Sequence, residues 1–126
     1  MRASGGPSSA KFDRAALLAA VDNDEDLLGG LIEMFLQEYP NWLGDIAEGL
    51  KAGSDQAVRR AAHTIRGAAS QFLIQAVVDE AQSVEIAAAN GDLDRASEAY
   101  NRLKQELELC KPELADMVER AAAALT

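Results

Sequence analysis

Through most of the chain, apolar residues return every three or four positions, as on one face of a helix. Leu28, Leu31, Phe35, Tyr39, Trp42 and Ile46 form such a stripe and predict a long helix from about Asp26 to Ala52. Pro40 lies inside it, but the stripe keeps its phase across the ring, so a kink is expected rather than a break. Before it, Asp13 is a good N-cap for a short helix turning Ala16, Leu17 and Ala20 toward a core, with Phe12 placed to staple against Leu17. After it, Gly53 and Ser54 supply a C-terminal stop and a new N-cap, predicting a third helix from Asp55 to Phe72. A fourth, from Gln75 to Asn90, buries Val77, Ala81, Val84 and Ala88. Asn90 and Gly91 end it and Asp92 caps the next. The last helix carries Leu93, Ala96, Tyr100, Leu103, Leu107, Cys110, Leu114 and Met117 on a near-heptad seam, bent but not dephased by Pro112. Short connections make antiparallel neighbours. The fold class is therefore all-α: an antiparallel four-helix bundle with a short additional N-terminal helix over residues 12–126.

The remainder, residues 1–11, is rich in Gly, Ser and Pro and reads as a flexible linker or an expression remnant, which points to a domain once attached to something larger. Charge narrows the function. With 21 acidic against 12 basic side chains and a net charge of −9, the 126-residue chain lacks the basic face that phosphate backbones demand, so no nucleic-acid partner is expected. No run approaches the roughly 18 apolar residues of a membrane span, and the opening has no signal-peptide core. A cytoplasmic protein without membrane contact of its own is the expectation. The single cysteine, Cys110, leaves no intramolecular disulfide and sits on the apolar seam, which makes it a structural thiol.

One residue stands apart. With His63 set at zero on a helical wheel, Ala57, Val58, Ala61, Ala62, Ile65, Ala68, Ala69 and Phe72 fall between about 120° and 260°, while Gln56, Arg59, Arg60, Arg66, Gly67 and Ser70 fall within about 60° of it. The imidazole, the chain's only one, therefore faces water. Arg59, Arg60 and Arg66 concentrate a quarter of the chain's cations around it and make a local anion site in an acidic protein. Those cations disfavour the imidazolium form, and a neutral ring keeps a lone pair able to take up a phosphoryl group. Gly67, one turn on, costs roughly 0.8–1 kcal/mol relative to Ala in a helix interior. A bare patch beside the ring would let another macromolecule approach closely.

The stretch AHTIRGAAS, Ala62 to Ser70, resembles the HxxKG signature of histidine-containing phosphotransfer (HPt) domains of two-component phosphorelays. The resemblance extends over FLQEYP (Phe35–Pro40), the Gly53–Ser54 turn, Ser83–Glu85 and the NGDL junction (Asn90–Leu93). It implies that His63 accepts a phosphoryl group from a receiver-domain aspartate and passes it to another receiver. Arg66 takes the place of the usual Lys, with Arg59 and Arg60 as further phosphate-stabilising cations. Glu85 lies beside the histidine, accepting from Nδ1 and leaving Nε2 as nucleophile. Gly67, Ser70 and Gln56 contribute to partner docking. The resemblance further implies response-regulator receivers as partners, a hybrid sensor histidine kinase as a further partner or parent, a monomer, no kinase activity of its own, and Mg²⁺ supplied by the receiver with no cofactor bound by this chain. The family often has Gly ten residues after the histidine, where this chain has Leu73 followed by Ile74. These two are read as an apolar docking patch beside His63, with the helix ending near Phe72 or Leu73.

A different class of reading is a helical interaction module that docks receiver or kinase domains without phosphorylation. A metal- or haem-binding bundle would need a second strong ligand besides the one His. Asp22, Asp24, Asp26 and Glu33 echo a calcium loop, but Leu27 occupies the place where such a loop needs Gly. No site metal is expected.

Overall fold

The computed structural model describes residues 13–124, and among them five helices and no strand. The expected linker and the staple from Phe12 lie outside that range. The helices are α1 (Arg14–Ala20), α2 (Glu25–Ala52), α3 (Asp55–Gln71), α4 (Gln75–Ala89) and α5 (Leu93–Ala124). Four of the five starts carry a side-chain cap, and α4, which begins after Ile74, has none. Asp13 Oδ1 accepts from Ala16 N at 3.1 Å, Asp24 Oδ1 from Leu27 N at 3.0 Å, Ser54 Oγ from Ala57 N at 3.2 Å and Asp92 Oδ1 from Arg95 N at 3.1 Å. Pro40 and Pro112 both lie inside continuous helices.

α2, α3, α4 and α5 pack in a closed ring, each against its two neighbours, and α1 packs mainly on α2, with Arg14 also lining a groove with Pro112, Asp116 and Arg120 of α5. The core runs through Ile46, Val58, Ile65, Val77, Val84, Leu103 and Leu107, and each such side chain contributes about 1.5–3 kcal/mol by leaving water. Ring centroids of Phe35 and Phe72 lie 5.4 Å apart, so the end of α3 meets the middle of α2. The first turns of α2 and the last of α5 meet at Gly29 and Ala121, and Leu17 of α1 is buried in the same core. Two expectations shift. Ile32, not Leu31, is the buried residue of that turn, with Leu31 38% exposed, and Ala20 is exposed. No helix among the described residues is long and apolar enough to cross a membrane.

The connections share one device. α2, α3 and α4 each end with the i+5 and i+3 backbone bonds of a Schellman motif, and the residue that must turn left-handed is Gly53 (φ 70°), Leu73 (φ 57°) and Gly91 (φ 72°). After α3 the bonds run from Ile74 N to Ala69 O and from Leu73 N to Ser70 O, both 3.2 Å. The chain thus places Leu where its two sister turns place Gly. The following Ile74 is fully buried, because the motif drives the residue after the left-handed position back against the helix it ends. Ile74 is accordingly no part of a docking patch, and this corrects the expectation from sequence. Leu73 is exposed, ten residues beyond His63, which is about 15 Å along the helix axis.

A left-handed Leu costs about 1–2 kcal/mol that Gly avoids, partly offset by the greater freedom Gly loses on folding. Leu73→Gly is therefore expected to stabilise the fold by up to about 1 kcal/mol, read as a raised melting midpoint. A lowered midpoint would show that the Leu73 side chain contributes packing that outweighs its backbone strain.

Candidate functional site

The apolar face of α3 is Val58, Ala61, Ala62, Ile65 and Ala69, all buried, and the opposite face is open. His63 stands on the open face with 65% of its side chain exposed. Glu85 is at the edge of the buried stripe of α4, one residue past Val84, and only 19% of its side chain is exposed. From there its carboxylate reaches α3. Oε2 lies 2.8 Å from His63 Nδ1, and Oε1 accepts from Arg66 Nε at 2.7 Å. Arg66 Nη2 also reaches Oε2 at 3.5 Å.

The carboxylate fixes the tautomer. Burial pushes the Glu85 pKa up, but hydrogen bonds from Arg66 and His63, together with their charges, outweigh it and hold the group below its ordinary 4.5. An ionised carboxylate can only accept, so a hydrogen sits on Nδ1, and in the neutral ring the lone pair is then on Nε2, the nitrogen on the side away from Glu85. Arg66 Nη2 lies 3.1 Å from the same Nδ1. With Nδ1 protonated this is a meeting of two donors on one acceptor and not a hydrogen bond. Arg66 in turn has its pKa raised by its hydrogen bond to Glu85.

Around the ring, Gln56, Arg59 and Arg60 line one open depression together with His63 and Glu85. Gly67 and Ser70 are exposed further along the same face, and Ser70 Oγ donates back to Arg66 O at 2.8 Å. A Cβ on Gly67 would meet nothing within 4 Å. The structure thus brings together His63, Arg66 and Glu85 as one hydrogen-bonded cluster, with Gln56, Arg59 and Arg60 beside it, and leaves Leu73 apart at the end of α3. Sequence reasoning assigned Trp42 to the core alone. It is half-buried and also lines a groove between α2 and α3 with Asp45, Glu48, Ala57, Arg60 and Thr64, so Arg60 belongs to both depressions. The signal was the large aromatic next to Leu43 at the rim of the stripe. Cys110 is fully buried and burial pushes its thiol up to about 12, which leaves it unreactive.

Because the folded-state pKa of Glu85 is depressed, the stability it contributes is present above its ordinary value of 4.5 and is lost as pH falls through the lower folded value. Glu85→Gln should lower the melting midpoint near neutral pH, and the gap to wild type should close as the pH is taken below 4.5. Melting curves across that range test this, and a gap independent of pH would show that Glu85 is not held ionised by the cluster.

A family model described as "Hpt domain" matches residues 30–124, which takes in α3 with His63, α4 with Glu85, all of α5 and most of α2. No curated protein and no solved structure matches the chain. The match spans well over half of the sequence and agrees with the helical bundle, so the chain belongs to the Hpt domain family, the helical phosphotransfer carriers of two-component phosphorelays.

Proposed function

We propose that the protein is a phosphorelay intermediate that carries a phosphoryl group on Nε2 of His63 between receiver domains. The observation that supports this best is the placement of the ring: it is largely exposed, with Nδ1 held 2.8 Å from the Glu85 carboxylate and Nε2 on the side away from it. On docking, Nε2 attacks the phosphorus of a receiver's aspartyl phosphate. The N–P bond forms as the acyl O–P bond breaks, and the aspartate carboxylate leaves with the electron pair. Positive charge developing on the ring is shared with Glu85 through Nδ1–H. The return step reverses this: a second receiver's carboxylate attacks phosphorus and the ring regains its lone pair.

Arg59 and Arg60, which line the depression with His63, would offset the charge of the carried group. Mg²⁺ would come with the receiver, and the chain would act as a carrier without kinase activity, in the cytoplasm where receivers work. Gln56, Gly67 and Ser70 would border the docking face, Gly67 by leaving the surface bare.

Incubation with a phosphorylated receiver should label the protein with an acid-labile, base-stable phosphate, and His63→Gln should abolish the label. Labelling that persists in that variant would exclude His63 as acceptor. Receiver binding without any label would instead make the domain an interaction module. Gly67→Ala supplies a separate test of docking. The added methyl meets nothing within 4 Å and relieves about 1 kcal/mol of helix cost, so the variant should melt higher. It should nevertheless transfer more slowly at low receiver concentration, with the loss in KM, and an unchanged KM would remove the close-approach role.

A further inference from the structure

Arg66 occupies the position at which the family resemblance puts a phosphate-facing cation, yet its guanidinium is engaged elsewhere. Nε donates to Glu85 Oε1 at 2.7 Å and Nη2 lies 3.5 Å from Oε2, the oxygen that accepts from His63 Nδ1. We infer that Arg66 is a positioning residue acting on His63 through Glu85: it holds the carboxylate so that Nδ1 keeps the hydrogen and Nε2 the lone pair, and it is not the group that binds the phosphoryl oxygens. The inference rests on the reading of His63 as phosphoacceptor.

Three features carry it. A Glu side chain rotates about three bonds, and a carboxylate reaching from α4 to α3 points at Nδ1 only if something restrains it. Arg66 grips both of its oxygens from the next turn of α3, with 33% of its own side chain exposed. A planar guanidinium can address two oxygens at once, whereas an ammonium is a single point of charge, so this restraint depends on Arg and would be lost with Lys although the charge is kept. Finally, Nη2 sits 3.1 Å from Nδ1, so the guanidinium is on the Nδ1 edge of the ring. Arg59 and Arg60 line the open depression with His63 and Glu85, while Arg66 does not.

The chain has a single histidine, so the ¹⁵N spectrum of labelled imidazole reads this ring alone. In the unphosphorylated wild type, the shifts should report hydrogen predominantly on Nδ1. Arg66→Lys should move them toward a mixture of tautomers. It should lower kcat for transfer from a phosphorylated receiver by about tenfold, the scale seen when a group supporting a functional imidazole is removed, and leave KM nearly unchanged. In a Glu85→Ala background the same substitution should cost nothing further, because its route to the ring is gone. A wild-type ring spectrum in Arg66→Lys, or a loss confined to KM or to the lifetime of the phosphohistidine, would overturn the inference and make Arg66 a direct phosphate or docking contact. Should wild type take no phosphoryl group, the phosphotransfer reading fails on its own, while the ring spectrum still decides whether Arg66 sets the tautomer.

Discussion

A single carboxylate, shared between an imidazole and a guanidinium of the facing helix, ties α4 to α3 at the one place where the bundle exposes its histidine. The tie is short because the two helices meet through small residues. Ala62 and Ala69 of α3 are buried, as are Ala81 and Ala88 of α4. Larger side chains would hold the axes further apart, since the interaxial distance follows the residues at the contact, and a Glu at the edge of α4 would then fall short of Nδ1. The alanine-rich composition is thus part of the site's geometry as well as of the helix propensity.

The site also explains why an acidic chain concentrates arginines on one surface. Of the three around His63, Arg66 is neutralised by Glu85. Arg59 and Arg60 form no ion pair among the described residues. The structure separates two situations that a count of charges merges: an arginine held against a carboxylate on the Nδ1 side of the ring, and two arginines beside the ring that line the open depression.

Much of this was legible in the sequence because burial and periodicity decide it. The caps at Asp13, Ser54 and Asp92, the stops at Gly53 and Gly91 and the outward face of α3 follow from residue type and phase alone. What escaped are positions where phase is degenerate or distance matters. Leu31 and Ile32 are adjacent apolar residues and either continues the stripe; the choice falls to Ile32 through packing between α2 and the far end of α5, a contact between segments some ninety residues apart in sequence that no local pattern contains. Ile74 was misplaced although the helix end was expected, because a wheel gives no direction past the end of a helix: after the left-handed Leu73 the chain reverses and carries Ile74 inward. The partner of Arg66 was missed for a further reason: a wheel gives direction around one helix and says nothing of the gap to the next.

The field of the helix itself does not replace the arginines. α3 begins at Asp55, and His63 lies eight residues further, more than two turns inside, whereas the positive end of a helix dipole acts within about the first turn. Asp55 in that first turn offsets it further. Any anion at Nε2 must therefore be balanced by side chains. Those available on the outward face are Arg59 and Arg60, one turn toward the N-terminus of α3, so positive charge around the ring is weighted to that side.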